Sequence, residues 1–164
     1  MESFQSYVNE YKKQLEQGSI QKAYKGLMEY LLALRAHFNH QYPDYFVPAS
    51  IYFGYMDMTY FSFTPASLKN RNLKIAIVFL HEAFRFEVWL AGANKQVQAQ
   101  TWKQIKDSGW NRYPLVPSIQ GEDAILQQVL VADPDFSNLE ALTGQIEQGT
   151  LEFIREVEGF LSGM

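Results

Sequence analysis

The chain has 164 residues, of which 47% are apolar and 20% are charged, a composition typical of globular proteins. It contains no cysteine, which excludes disulfides, thiolate metal sites and cysteine nucleophiles and is compatible with a reducing compartment. The length predicts a single domain over residues 1–164, whose core needs no structural metal.

The charge is unevenly distributed along the chain. Residues 1–116 carry 13 basic and 9 acidic side chains, whereas residues 117–164 carry one basic side chain, Arg155, and 9 acidic ones. A nucleic-acid-binding protein normally presents a dense basic face, because released counterions supply much of its affinity. The pattern therefore argues against nucleic acid as a partner. The acidic last segment is either a helix docked on the body, which its apolar periodicity favours, or a tail that recruits a partner.

No segment has the uninterrupted apolar stretch of a signal peptide or a membrane span. The first residues include Glu2, Asn9 and Glu10, and the longest apolar run in the strand-like region is Ile75–Leu80. The sequence therefore predicts a cytoplasmic protein without a membrane partner.

Two helices are predicted at the start of the chain. Between Glu2 and Gln17, apolar residues recur at intervals of three and four and share one face: Phe4, Val8, Tyr11 and Leu15. Gly18 predicts the end of this helix, and Ser19 as an N-cap predicts a second helix that ends before Pro43. Such a short joint predicts an antiparallel helical hairpin.

An aromatic-rich segment follows the second helix. Nine of the 22 residues from Tyr42 to Phe63 are aromatic, a composition typical of strands. Aromatic side chains in strands usually form core and cross-strand packing. A surplus beyond what one sheet face buries would instead form a stacking pocket or a homodimer interface.

Three strands are predicted next: Met58–Phe63, Leu73–Leu80 and Phe84–Leu90. The connection between the first two contains one helical turn, and His81–Ala83 forms the turn between the last two. In the third strand, apolar residues at 84, 86, 88 and 90 alternate with polar or amphipathic ones. This alternation is typical of an antiparallel sheet with one buried face.

The next segments are predicted to be mainly helical. A third helix runs from Asn94 to Asp107, and Gly109 ends it. Two prolines limit Tyr113–Pro117 to a short edge strand. Residues Glu122–Val131 place four apolar side chains at helical spacing and are predicted to be a helix.

The last helix has a recognisable start. Ser137 and Glu140 form the pattern of a capping box, and one apolar side follows: Leu142, Ile146, Phe153, Val157 and Phe160. The order of the elements predicts an α+β fold, in which an N-terminal helical hairpin and C-terminal helices pack on a small, mainly antiparallel sheet.

The third strand carries the main candidate site. Alternation places Arg85, Glu87 and Trp89 on one side of the sheet. Asp57, at the start of the first strand, and Tyr60, within it, are the further candidates. If this face is covered, Arg85 must pair with Glu87 or Asp57, and a cross-strand ion pair on a solvated face is the structural alternative. If the face lines a cleft, the guanidinium suits an anion, the carboxylates suit a cation or proton transfer, and the aromatic rings suit stacking.

Metal and nucleophilic chemistry are weakly indicated. His37 and His40 lie three apart on the second helix, but a metal site needs further ligands, and the end of a helix favours histidine through the helix dipole. His81 and Glu82 lack the second histidine of a zincin motif. No Gly-x-Ser-x-Gly, Gly-x-Gly-x-x-Gly or Walker motif occurs. The sequence therefore predicts neither a metal site nor a cofactor.

Segments spread over nearly the whole chain carry a resemblance to a known family. They are Ala23–Arg35, Tyr42–Phe46, Gly54–Phe63, Leu73–Val78, Phe84–Gly92, Asn94–Val97 and Pro134–Phe136. Together they resemble a family of uncharacterised bacterial proteins, a domain of unknown function. This resemblance implies a free-standing domain and implies no activity, substrate or catalytic residue. Arg85–Leu90 and the following helix are also similar to domains found beside restriction-type endonucleases, although Trp89 stands where such a nuclease has a lysine.

The sequence leaves three functional hypotheses. The first is a small cytoplasmic binding or interaction module for an unknown small molecule or protein, using the sheet face around Asp57, Tyr60, Arg85, Glu87 and Trp89. The second is an enzyme of unassigned class acting on a small polar or anionic substrate, with Glu87 or Asp57 as general base and Arg85 orienting the substrate. The third is a divergent nuclease-like domain.

Overall fold

Helices flank a central run of strands in the computed structural model, which describes residues 2–164. The elements are α1 (Phe4–Gln17), α2 (Ser19–Gln41), β1 (Met58–Ser62), α3 (Ala66–Lys69), β2 (Leu73–Leu80), β3 (Arg85–Gly92), α4 (Lys95–Ser108), β4 (Leu126–Val131) and α5 (Leu139–Ser162). The predicted α+β class is confirmed. Within the described residues, no helix combines the length and the apolar character that a membrane crossing requires.

The four strands form one antiparallel sheet in the order β1, β2, β3, β4. Ile77 at the centre of β2 lies opposite Phe61 of β1 and Val88 of β3. The prediction of only one buried face is wrong for the two central strands, because Val78, Glu87 and Trp89 are buried on one side of the sheet. On the other side, the alternate residues of β2 and β3 have no exposed surface: Ile75, Ile77, Phe79, Phe86, Val88 and Leu90. We call this side of the sheet the core face.

The chain divides into two compact units, one up to Leu34 and one from Arg35 onwards. In the first unit, Gly18 adopts a left-handed φ of 84° and ends α1, as predicted. None of the side chains of α1 is buried, and most of its predicted apolar face is exposed, namely Phe4, Val8 and Tyr11. In the second unit, Phe38 on the last turns of α2 is fully buried among aromatic rings on the core face.

The turn between β2 and β3 is one residue longer than predicted. Phe84 lies in the turn with a positive φ of 54°, so the third strand begins at Arg85 and reaches Gly92 rather than spanning Phe84–Leu90. The alternation from Arg85 onwards is unaffected, because it depends only on the extended backbone.

Residues 126–131 form the edge strand β4, so the predicted helix over Glu122–Val131 is wrong. A β-bulge explains the error: Phe86 pairs with Val131 and Glu87 pairs with Val129, which leaves Leu130 as an extra residue. The extra residue interrupts the period of two and gives the apolar residues a helical spacing. The predicted edge strand at Tyr113–Pro117 is reduced to a single bridge between Leu115 and Leu126.

α5 packs against β3 and β4 and buries one stripe of side chains: Leu142, Ile146, Thr150, Phe153, Ile154, Val157 and Leu161. The helix is capped by Asn138, whose side-chain oxygen accepts a hydrogen bond from the Ala141 N–H at 3.1 Å. The capping box predicted at Ser137 and Glu140 is wrong, because the Ser137 hydroxyl donates to Asp135 in the preceding turn instead.

Candidate functional site

The candidate site lies on the side of the sheet opposite the core face, which we call the outer face. Its side chains come from alternate residues of three strands: Met58, Tyr60, Lys74, Ala76, Val78, Leu80, Arg85, Glu87, Trp89 and Ala91. Ala76, Val78 and Trp89 form a small buried cluster there together with Ala124. The prediction that Arg85, Glu87 and Trp89 emerge on one side of the sheet is confirmed.

The Glu87 carboxylate connects these three residues. One carboxylate oxygen accepts a hydrogen bond from Nε of Arg85 at 2.6 Å, and the other accepts one from Nε1 of Trp89 at 2.8 Å. The side chain of Glu87 is only 4% exposed, whereas that of Arg85 is 41% exposed. The ion pair therefore lies along one covered strand, rather than across strands on a solvated face, and it holds the indole ring in one orientation.

A pocket of about 110 Å³ lies beside this cluster on the outer face. Its lining residues are Met58, Tyr60, Lys74, Ala76, Trp89, Ala91 and Asp123. The two alanines leave space between the larger side chains. Pockets for drug-sized ligands hold about 300–1,000 Å³, and a cavity of about 150 Å³ holds one benzene ring. The pocket is therefore suited to a small molecule.

Gln98 of α4 positions one end of the pocket. Its side-chain oxygen accepts a hydrogen bond from the Gly92 N–H at 3.0 Å, and its Nε2 donates to the Glu122 carbonyl at 2.8 Å. A Cβ at Gly92 would lie 2.5 Å from the Gln98 backbone nitrogen, so the close approach of β3 and α4 requires glycine here. These contacts hold the segment that carries Asp123 against the end of β3.

The structure places Asp57 apart from the other predicted site residues. Its carboxylate accepts a hydrogen bond from the Tyr55 N–H at 2.8 Å, and such backbone hydrogen bonds lower the pKa of Asp57. Tyr60 lies on the outer face opposite Val78, which in turn pairs with Glu87. Four of the five predicted residues thus share the outer face, namely Tyr60, Arg85, Glu87 and Trp89, whereas Asp57 binds its own loop.

Two of the three histidines, His37 and His81, make separate side-chain contacts. His37 lies 3.0 Å from a Glu147 oxygen that also accepts a hydrogen bond from the Tyr42 hydroxyl at 3.0 Å. Burial, together with Glu147, raises the pKa of Tyr42 to about 12. Residues 2–164 contain no group of three histidine, aspartate or glutamate side chains arranged to hold a metal ion.

His81 follows β2 and contacts the start of the sheet. Its Nε2 lies 2.9 Å from the hydroxyl of Thr59, and that hydroxyl donates its hydrogen to the Phe53 carbonyl, so His81 is the donor to Thr59. Burial lowers the pKa of His81, and the nearby Asp57 carboxylate partly opposes this shift.

The lowered pKa of His81 predicts that stability decreases on mild acidification. The unfolded chain binds a proton at His81 more readily than the folded chain does. The contribution of neutral His81 to the free energy of unfolding is therefore complete above the ordinary histidine pKa of about 6.5, and it is lost as the pH falls towards the lower pKa of His81 in the folded protein. Urea denaturation of the wild type between about pH 7.5 and about pH 5.5 should show this loss. His81→Gln should show a smaller slope, and equal slopes for the two proteins would contradict the prediction.

Sequence reasoning placed Tyr60 and Trp89 in the site but missed the other residues that line the pocket. Lys74 is a charged residue in an otherwise apolar strand, and Ala76 is a small residue among large ones, which are signals that the sequence does contain. The register that places Lys74 opposite Ala91 is evident only in the structure. Asp123 lies in a segment for which the spacing of the apolar residues predicts a helix, so the sequence does not indicate its place at the pocket.

Fold and site together define an α+β domain with a four-stranded antiparallel meander and a small pocket on the outer face of its sheet. The chain belongs to the family described as a domain of unknown function (DUF7000), whose family model matches residues 4–161. The family resemblance expected from the sequence segments is thereby confirmed. Comparisons with curated proteins and with solved structures give no match.

Proposed function

We propose that this chain is a binding module that holds a small polar molecule in the pocket on the outer face. The observation that carries the proposal is the hydrogen bonding of Glu87 to Arg85 and Trp89. These hydrogen bonds hold the indole ring of Trp89 in place at the wall of the pocket. Ala76 and Ala91, which also line the pocket, are too small to fill it. A preformed site loses less conformational freedom on binding than a mobile one, which favours affinity for a small ligand.

The same geometry favours binding over catalysis. A general base must lie within hydrogen-bonding reach of a substrate proton, but both oxygens of Glu87 already accept hydrogen bonds within the cluster. Asp57 is held by backbone N–H groups outside the cluster. A nuclease-like site would need the carboxylates of Asp57 and Glu87 at one centre. Among the described residues, each of these carboxylates instead has its own hydrogen-bond partners.

Several other features remain predictions, and the proposed binding does not depend on them. They are a cytoplasmic location, a bacterial source, organisation as a single domain and a homodimer formed through the surplus aromatic side chains. Exposed aromatic residues between α2 and β1 are compatible with the last of these: Phe46, Tyr52, Phe53 and Tyr55.

Filling the pocket tests the proposed function. Ala91→Val adds two methyl groups at the pocket wall, and strands favour valine. In a thermal-shift screen of small metabolites, nucleotides and metal ions, we expect at least one small polar compound to raise the Tm of the wild type and not that of Ala91→Val.

The control is Ala132→Val, an exposed position directly after β4, which should keep the full ligand-induced shift. A shift that persists in Ala91→Val would place the ligand elsewhere on the protein. A screen in which no compound raises the Tm of the wild type would show that the proposed function is wrong.

A further inference from the structure

Two opposite charges line the pocket without pairing with each other. Lys74 is contributed by β2, and Asp123 by the segment that Gln98 holds against β3. In the described part of the chain, the ion pairs join other residues, and none connects Lys74 with Asp123. A ligand can therefore supply a counter-charge to each of them.

Two aromatic residues line the same pocket as these two charges. The rings of Tyr60 and Trp89 both line the pocket, and aromatic rings, tryptophan above all, attract cations. The Trp89 N–H is already bound by Glu87, so the ring, rather than its donor, remains for the ligand. Burial, Tyr52 and then Asp123 raise the pKa of Tyr60, so the Asp123 charge acts on the Tyr60 hydroxyl.

Lys74 is half-buried and Asp123 is exposed, so water screens both charges in the free protein. A ligand with only one charge would still leave one of the two without a counter-charge. An anion would satisfy Lys74 but would be repelled by Asp123, and a cation would satisfy Asp123 but would be repelled by Lys74. A zwitterion satisfies both. The volume of about 110 Å³ is smaller than the cavity of about 150 Å³ that holds benzene. A molecule of the size of glycine therefore fits entirely, whereas a larger zwitterion such as glycine betaine enters only in part.

We propose that the pocket binds a small zwitterion of the amino-acid class, and this proposal depends on the proposed function. The carboxylate of the ligand binds at Lys74. Its ammonium group, free or methylated, lies towards Asp123 and the rings of Tyr60 and Trp89.

Nuclear magnetic resonance with the ¹⁵N-labelled full chain tests this proposal. Each of the three tryptophans gives one indole N–H signal, and Trp89→Phe identifies the signal of Trp89. The probes are two zwitterions, glycine and glycine betaine, and two half-molecules, acetate and methylammonium. We expect at least one zwitterion to shift the Trp89 signal saturably, with an affinity about tenfold or more above that of either half-molecule.

Charge-removing variants provide the second readout. Lys74→Met and Asp123→Asn should each weaken zwitterion binding about tenfold or more. Lys103→Met and Asp107→Asn are matched controls, because this exposed pair on α4, 3.3 Å apart, lies outside the pocket lining, and they should leave the affinity unchanged.

The outcomes distinguish failure of the zwitterion inference from failure of the proposed function. If acetate or methylammonium binds as tightly as glycine and glycine betaine, or if only one of the two pocket variants weakens binding, the ligand has a single charge and this inference is wrong. If neither zwitterion shifts the Trp89 signal but a compound from the thermal screen does, the inference is wrong and the proposed function stands. If no compound shifts the Trp89 signal and none raises the Tm of the wild type, both are wrong.

Discussion

Replacement of Glu87 with alanine is expected to lower the free energy of unfolding by about 2–4 kcal/mol and to abolish binding in the pocket. The variant removes the acceptor shared by the buried Trp89 N–H and by Arg85. A buried donor left unpaired costs about 1–3 kcal/mol, and breaking a buried ion pair costs about 3–5 kcal/mol. The loss of stability should be smaller than that for a fully buried ion pair, because water can hydrate the half-exposed Arg85 in the variant. Without Glu87, the indole ring of Trp89 loses the hydrogen bond that orients it at the pocket wall.

Urea denaturation and the ligand-induced change in Tm measure the two effects separately. Glu87→Gln retains an acceptor but loses the charge, so it should cost less stability than Glu87→Ala and should keep part of the binding. Glu82→Ala, at an exposed position in the turn between β2 and β3, should change stability by no more than about 0.5 kcal/mol. If Glu87→Ala resembled Glu82→Ala in both measurements, the cluster would have no structural role.

The parts of the fold that could be predicted from the sequence depend on local rules. β2 occupies the predicted residues because its turns and its apolar run are both contained in adjacent sequence. Gly18 and Gly109 end helices in the left-handed conformation that glycine adopts without strain. The bulge at Leu130 could not be predicted, because it exists only relative to the pairing strand.

The same distinction between local and tertiary information applies to the site. Arg85, Glu87 and Trp89 could be brought together from sequence, because alternate residues of one strand share a face in any sheet. Asp57 could not be placed, because its carboxylate is bound by backbone N–H groups that extended-strand reasoning ignores. Lys74 and Asp123 meet at the pocket through strand register and loop packing, neither of which the sequence displays.

Phe38→Ala, unlike Glu87→Ala, is expected to lower stability without affecting binding. The free energy of unfolding should fall by about 3–5 kcal/mol, and the folded protein should bind as the wild type does. Phe38 is fully buried, and its ring centroid lies 4.7 Å from that of Phe63 and 6.0 Å from that of Phe61. Removing the ring leaves a cavity on the core face. The pocket is on the outer face, because Tyr60 and Phe61 are consecutive strand residues and point to opposite sides of the sheet.

Phe53, a residue that is 44% exposed, provides the control variant Phe53→Ala. The free energies of unfolding of Phe38→Ala and Phe53→Ala should differ by most of this loss, since exposed positions contribute little. At a temperature where Phe38→Ala is still folded, titration should give the wild-type dissociation constant. Glu87→Ala would then lose binding at a moderate cost in stability, while Phe38→Ala would lose more stability without losing binding. A folded Phe38→Ala protein that no longer binds would show instead that the two faces of the sheet are energetically coupled.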